Sequence, residues 1–139
     1  FVALKLGLTE SAKIILKTLE ANEAKGDRKF VRVKCPPKKT SLNLNFMGKT
    51  IQGTVIDISS AGMAIDITEE IRPQTSLDDI QVVIWGTIIK LSGIVMGQRA
   101  LADGHVLHVI MFNDDIPKDS RTKIYGTIRR ILQAEIDAV

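Results

Sequence analysis

The stretch "TVIDISSAGMAIDI", residues 54–67, decides the fold because two apolar runs meet in it at a polar corner. In the second run, apolar and polar residues alternate from Met63 onwards, as they do in a half-buried strand. The corner has the spacing Asp57-x-Ser59-x-x-Gly62. A turn needs polar or conformationally free residues, but it does not need these particular ones. The sequence therefore predicts two antiparallel strands, and it raises the question of whether their connection also binds something.

Strand-like segments continue on both sides of this stretch. A tight hairpin turn is predicted at Met47-Gly48 and a longer one at residues 99–104. Pro36, Pro37 and Pro73 cannot pair in central strands, so they mark connections or edges. Six or seven short strands at this spacing favour a small antiparallel barrel, which closes on itself and removes exposed edges. The predicted strands cover residues 29–35, 41–47, 49–58, 62–68, 79–85, 87–98 and 104–113.

A helix is predicted at each end of the chain. The first covers residues 9–25, with Thr9 as N-cap and Gly26 as its stop. The second follows Asp115 as N-cap, with Pro117 in its first turn. The apolar stripes are Ala12, Ile15, Leu16 and Leu19 in the first helix, and Ile124, Ile128, Ile131 and Leu132 in the second. The expected fold class is mainly β: a small antiparallel six- or seven-stranded barrel with a C-terminal α-helix and an additional N-terminal α-helix.

Composition limits the classes of function. The chain has 139 residues, 45% of them hydrophobic and 25% charged, as expected of one globular domain. Its net charge of +3 is too small for a general nucleic-acid binder, although it permits a local anion site. Cys35 is the only cysteine, which excludes an internal disulfide and indicates a reducing, cytoplasmic compartment. No apolar run approaches the roughly 20 residues of a membrane span, so membrane insertion is not predicted.

The N-terminal sequence "FVALKLGL" is apolar but is interrupted by Lys5, and it starts at Phe1. We interpret it as the cut end of a longer protein rather than as a signal peptide, with a processed N-terminus as the alternative. The stripe of the first helix must then pack on the barrel, on another domain or on a second chain. A protein partner, an upstream domain or a homodimer is therefore expected.

Neither a metal site nor an enzyme is predicted. His105 and His108 are an odd number of residues apart in a strand, so they point to opposite faces. Cys35 has no partner cysteine. Ser59 and Ser60 lack the Gly-x-Ser-x-Gly elbow of many hydrolases, although a triad assembled in space stays open. The sequence therefore predicts no cofactor and no catalytic residue.

Binding of single-stranded nucleic acid is the next alternative, since small barrels often do this with aromatic platforms in a basic groove. Most aromatic residues here lie within apolar runs, where core packing is the simpler interpretation. Lys34, Lys38 and Lys39 surround two prolines, and a solvated loop explains them equally well. The sequence argues against nucleic acid as a partner.

The run "DRKFVR", residues 27–32, places Arg28 and Arg32 four residues apart. In an extended strand this even offset puts both side chains on one face. Guanidinium groups fork onto phosphate oxygens and stack on flat bases. The spacing alone is weak, because two ordinary surface arginines would produce it.

The combination of Arg28-x-x-x-Arg32 with Asp57-x-Ser59-x-x-Gly62, in a small barrel followed by a helix, resembles the PilZ domain family. Members of that family bind the bacterial second messenger cyclic di-GMP through these two motifs. The resemblance implies a cyclic di-GMP receptor without catalytic activity, and it implies that these five residues bind the ligand. Relatives in the family serve motility, polysaccharide synthesis and biofilm formation, and transcription.

The resemblance covers about residues 27–135 and includes "LHVIMFNDDIPKDSRTKIYGTIRRI", which is similar to the family's last strand, connection and C-terminal helix. It implies a division into residues 1–26, the N-terminal helix or end of a truncated upstream region, and residues 27–139, the PilZ-like barrel with its helix. The polar run "ANEAKGD" before the arginines is interpreted as a hinge that lets this segment fold over the ligand.

The chemistry of these residues suits cyclic di-GMP, which carries two phosphates and two guanines. Arg28 and Arg32 can supply charge and stacking planes. Asp57 can accept the N1 and N2 hydrogens of guanine, and Ser59 can both donate and accept. Gly62 allows a positive φ or a close backbone approach. Three alternatives stay open: a turn in which Asp57 and Ser59 bond only their own backbone, a scaffold that binds no ligand, and a single-strand nucleic-acid-binding barrel.

Overall fold

The computed structural model describes residues 32–138. The predicted helix over residues 9–25, the proposed hinge and Arg28 lie outside these residues. Seven strands and one long helix are present in the described part. They are β1 (Val33–Lys34), β2 (Thr40–Phe46), β3 (Lys49–Ile58), β4 (Gly62–Ile67), β5 (Ser76–Ile84), β6 (Thr87–Ala100), β7 (Val106–Phe112) and α1 (Lys118–Asp137).

The strands form one antiparallel sheet in the order β1-β3-β2-β5-β6-β7-β4. Because β4 pairs back with β3, six of them close into a barrel, and β1 pairs with β3 as an extra strand. Closure satisfies the backbone groups that an open sheet would leave at its edges. The predicted small barrel with a C-terminal helix is confirmed.

Two hairpins turn through two residues with positive φ. These are Met47-Gly48, with φ of 50° and 77°, and Trp85-Gly86, with φ of 48° and 80°. Positive φ at both central residues defines the type I′ turn, whose twist matches that of the flanking strands. The turn predicted at Met47-Gly48 is confirmed. The longer connection between β6 and β7 contains a short 3₁₀ turn at Ala102–Gly104.

The interior of the barrel is aliphatic. Met63, Ile65 and Ile67 on β4 are at most 1% exposed, as the alternation in the sequence predicted. Leu42 and Leu44 enter the same core from β2. Burial of such side chains contributes roughly 1.5–3 kcal/mol each, so the alternating runs themselves specify which face of each strand turns inward.

Helix α1 contacts β6 and β1. It buries Ile124, Ile128, Ile131 and Leu132, which confirms the predicted stripe. The predicted start was wrong: the N-cap position is Pro117, not Asp115, and no side chain caps it. Tertiary packing explains the difference. Residues 113–116 form a turn that buries the Ile116 side chain, so the helix begins only after this turn. No helix among residues 32–138 is long and apolar enough to span a membrane.

Candidate functional site

A β-bulge in β3 aims Asp57 outward. Between Val55 and Asp57, two residues of β3 oppose one of β4, and Ile56 is the extra residue. Both Val55 and Ile58 are buried in the core, whereas Asp57 is partly exposed. In a regular strand Asp57 would share the inward face of Val55, because side chains alternate with a period of two. Bulges re-aim side chains in this way, and here the bulge lets one strand hold a core and carry a surface carboxylate.

The corner after β3 is held by Ser59, whose side chain is 2% exposed. Its hydroxyl oxygen accepts hydrogen bonds from the backbone N–H groups of Ala61 and Gly62, and it donates to the carbonyl of Gly62, each at 3.2 Å. The backbone N–H of Ser59 also donates to the Gly62 carbonyl at 2.8 Å. Ser59 therefore bonds its own turn, as one of the open alternatives expected, whereas Asp57 bonds outside it.

Gly62 is required by a close approach between strands. Its φ is not positive, so conformational freedom does not explain it. A Cβ atom built on Gly62 would overlap the carbonyl oxygen of Ile110 on the paired strand β7. The neighbouring Phe112 N–H donates to the Ala61 carbonyl at 2.8 Å. The corner is thus fixed against β7 by its backbone, which leaves no space for a side chain at position 62.

Arg32 meets the corner from the other side. Its guanidinium Nη1 donates to Oδ1 of Asp57 at 2.7 Å, with the two side chains 51% and 20% exposed. The structure therefore brings together residues from the two predicted motifs, 25 positions apart in the chain. Because the pair is half-exposed, its contribution to folding stability is small. Its value lies in the juxtaposition of a guanidinium and a carboxylate at an accessible surface.

Lys34 belongs to the predicted strand over residues 29–35, and the sequence indicated no role for it beyond a solvated basic cluster around two prolines. The β1–β3 register sets Lys34 opposite Asp57, and its side chain is exposed. Paired residues of neighbouring strands project on the same face. The available signal was the even offset from Arg32 to Lys34, which puts both cations on the face of Asp57.

Cys35 follows on β1 and is buried, with its N–H donating to the Ile56 carbonyl at 2.9 Å. Burial and, to a smaller extent, the negative charge of Asp57 together raise the pKa of its thiol to about 12. The neutral thiol is therefore the favoured form of this side chain at physiological pH.

The two histidines lie apart, as the parity of the strand predicted. His108 is fully buried, and its Nε2 accepts the backbone N–H of Ile71 at 3.0 Å. Burial lowers the pKa of His108, so its ring is neutral. His105 is exposed and its Nδ1 lies 2.7 Å from Asp66. Within residues 32–138, no group of three or more His, Cys, Asp or Glu side chains could hold a metal ion.

A depression of about 410 Å³ lies beside the corner. Ser60 and Ala61 line it from the corner, Met111 from β7 and Arg121 from α1. Arg121 donates to the Asp114 carbonyl at 2.7 Å, which holds the guanidinium at the rim. Nothing in the sequence beyond its charge marked Arg121.

Comparisons with known proteins agree on one family. A family model described as the PilZ domain matches residues 26–134. The PilZ domain of YcgR from Escherichia coli, solved with c-di-GMP, superposes with a TM-score of 0.60 at 16% identity, covering 80% of this chain and 93% of that one. The K. pneumonia MrkH–c-di-GMP complex gives a TM-score of 0.67 at 14% identity, covering 79% and 55%.

A third similar structure is the Bacillus subtilis inhibitor of motility MotI/DgrA, with a TM-score of 0.60 at 12% identity, covering 74% of this chain and 50% of that one. At these identities the structural likeness shows the fold. The chain spans about half the length of MrkH and MotI. Comparison with curated proteins gave no match.

Proposed function

The chain belongs to the PilZ domain family, and from this premise we propose that it is a receptor for cyclic di-GMP that acts by binding and not by catalysis. The observation that carries the proposal is the contact between Arg32 and Asp57, which joins the two motifs at one accessible place. Cyclic di-GMP needs cations for two phosphates, flat surfaces for two guanines and an acceptor for the guanine donor edge. Arg32 and Asp57 offer one cation, one flat surface and one acceptor within a single contact.

The remaining site residues take roles that follow from their surroundings. Arg28, which precedes the described residues, supplies the second guanidinium. Asp57 exchanges part of its contact with Arg32 for the N1 and N2 hydrogens of guanine, which frees the guanidinium for phosphate or for stacking. Ser59 and Gly62 shape the corner so that the ligand can approach its backbone, and Lys34 adds positive charge opposite Asp57.

Ligand binding in structural relatives supports this assignment. The YcgR domain and MrkH were both solved with c-di-GMP, on the same fold as this chain. We propose that the domain acts in the cytoplasm and passes the signal to an upstream domain or a protein partner. Motility and biofilm formation are the processes we expect it to serve.

The test is calorimetric titration of cyclic di-GMP into the chain, with GTP as the control ligand. Replacing Arg28, Arg32 or Asp57 by alanine should weaken binding by about tenfold to a hundredfold, because hydrogen bonds to charged groups contribute roughly 1.5–3 kcal/mol each. Lys38→Ala is the matched control, since it removes a nearby cation that lies outside both motifs, and it should change the affinity less than about threefold.

Equal affinity for GTP would contradict selectivity for the cyclic dinucleotide, and undiminished binding by Asp57→Ala would contradict guanine readout at this carboxylate. Absence of binding by folded wild-type protein would leave the scaffold interpretation as the better one. The measured stoichiometry also gives the number of ligand molecules bound per chain.

A further inference from the structure

A second groove, of about 600 Å³, lies between the β5–β6 turn and the C-terminal half of α1. Trp85 lines it from the turn, and Arg129, Arg130 and Gln133 line it from the helix. None of these residues belongs to either ligand-binding motif. The groove and the Arg32–Asp57 site therefore share no residue, and they are built from different secondary-structure elements.

Trp85 occupies a strained backbone position at the edge of this groove. Its φ is 48° in a type I′ turn, where asparagine or glycine is favoured and a bulky residue is an outlier. Its backbone N–H donates to the Lys39 carbonyl at 3.0 Å, and its carbonyl accepts from Nη1 of Arg130 at 3.3 Å. The guanidinium of Arg130 also lies 4.5 Å from the centroid of the indole ring. Strain of this kind persists where surrounding contacts impose it, and it is often found at ligand sites.

Gly126 leaves the groove open on the side of α1. It lies inside α1, where glycine destabilises a helix relative to alanine. A Cβ atom at this position would meet no described atom within 4 Å, so close packing does not exclude a side chain. Because Gly126 lines the groove, a side chain here would project into the space beside Trp85.

Two arginines of α1, Arg129 and Arg130, line the groove beside Trp85. The loop that contains Lys38 and Lys39 is attached to Trp85 by the hydrogen bond from the Trp85 N–H to the Lys39 carbonyl. Asp137 is the acidic side chain among the lining residues. Flat indole and guanidinium faces between cations, with a carboxamide beside them, match bases linked by phosphates.

We propose that the Trp85 groove binds single-stranded nucleic acid, with a base stacked on the indole and flanking phosphates held by the arginines and the lysine loop. An acidic peptide would need only the cations, whereas the stacked Trp85–Arg130 pair offers planar faces suited to a base. The sequence argued against nucleic acid because the net charge is small and most aromatic residues lie in apolar runs. Both reasons concern averages over the whole chain. The groove differs from these averages, because it places a tryptophan beside two arginines.

The probe is a labelled oligothymidine of roughly twelve nucleotides, a length within the site sizes of single-strand-binding barrels. We expect fluorescence polarisation of this probe to rise with protein concentration at low salt. The affinity should fall with a log–log salt slope of about −0.7 for each phosphate neutralised. Trp85 is the only tryptophan of the chain, so quenching of intrinsic fluorescence reports stacking at this residue directly.

Trp85→Asn should lower the affinity by about tenfold or more, since it removes the stacking platform. It also places a favoured residue in the type I′ turn, and because Trp85 packs partly against the core, far-UV circular dichroism and urea unfolding of the variant must first show that the fold is retained. Met47→Asn is the matched control, because it introduces asparagine at the equivalent position of the other type I′ turn. This variant should leave the affinity unchanged. Gly126→Leu places a side chain in the groove, at a position where a Cβ atom meets no neighbouring atom within 4 Å, and should also abolish binding.

Several results would overturn the proposal. One is the absence of oligothymidine binding by wild-type protein up to about 100 μM at low salt. The others are an unchanged affinity in Trp85→Asn, and displacement of the labelled probe by poly-glutamate as effectively as by unlabelled oligothymidine. Competition by thymidine monophosphate at equal nucleotide concentration would overturn the assignment to a strand. Asp57→Ala should bind the oligonucleotide as the wild type does. Loss of that binding would place the probe in the other site, whatever the outcome of the cyclic di-GMP titration.

Discussion

At the scale of single residues, two members of the corner motif are explained by local backbone geometry. Ser59 fills its hydrogen-bonding capacity within the turn, and Gly62 lies where the backbone of β7 approaches too closely for a side chain. Asp57 differs from both, because its carboxylate contacts Arg32 outside the turn. Of these three residues, the structure thus gives two a structural role and one an accessible functional group.

Gly62→Ala should destabilise the barrel, because the new methyl group would overlap the Ile110 carbonyl and force β4 and β7 apart. Overpacking of this kind costs about 1–3 kcal/mol. Urea unfolding measures the change. Gly97→Ala is the control, since that strand glycine has negative φ and open space around its would-be Cβ. Equal stability of the two variants would contradict the close-approach explanation.

The same scale shows what sequence reasoning could and could not reach. The motif residues could be identified from the sequence, because each motif is defined by particular residue types at fixed spacings along the chain. The bulge at Ile56 could not, since it depends on how β4 pairs with β3 in space. Lys34 was visible as a cation, but only the β1–β3 register places it opposite Asp57.

At the scale of elements, the alternation of apolar residues predicted the strands well because each strand has one buried face. β3 was predicted at its observed bounds, and β4, β6 and β7 differ from prediction by at most two residues at either end. The start of α1 was missed because burial of Ile116 prevailed over the local capping signal. The groove beside Trp85 was also out of reach, because it joins a hairpin turn to a helix more than 40 residues later.

One buried side chain links β7 to the segment after β4, and it makes stability depend on pH. His108 accepts the Ile71 N–H through Nε2, which requires a neutral ring. Because burial lowers its pKa below the ordinary 6.5, the unfolded chain binds a proton more readily than the folded one. Stability should therefore be complete above pH 6.5 and decline as the pH falls below it, by at most about 1.4 kcal/mol per unit.

Urea unfolding at about pH 7.5 and about pH 5.5 measures this effect. His108→Gln keeps an acceptor for Ile71 but does not titrate, so the decline should become smaller. In the control, His105→Asn, the contribution of His108 should persist, because His105 is exposed and lies outside this contact. A decline in His108→Gln equal to that of the wild type would assign the pH dependence to other groups.

At the scale of the whole molecule, the two halves of the proposed site belong to different parts of the architecture. Asp57 is on β3, which pairs with β1, β2 and β4. Arg32 immediately precedes β1, a strand of two residues that, within residues 32–138, pairs with β3. The carboxylate is therefore built into the barrel sheet, whereas Arg32 lies next to the extra strand outside the closed barrel.

We expect saturating cyclic di-GMP to slow hydrogen exchange at residues 21–34, because bridging Arg28 and Arg32 to the corner would order the segment around them. Exchange measured by mass spectrometry with and without ligand tests this. Peptides from β2 and β5, which lie inside the barrel sheet, serve as internal controls and should not change. An unchanged pattern at residues 21–34, with ligand shown to be bound, would exclude a binding-linked movement.

The extra residue in β3 also determines what a one-residue deletion at this point of the strand would change. Deleting Ile56 would leave a regular ladder in which Asp57 still faces outward and Ile58 still faces the core, so the loss would not invert the strand. It would, however, remove the carbonyl that receives the Cys35 N–H and thereby attaches the arginine-bearing end to the barrel. A shortened chain would therefore keep the fold and the exposed carboxylate, but the strand that follows Arg32 would be attached to the barrel by one hydrogen bond fewer.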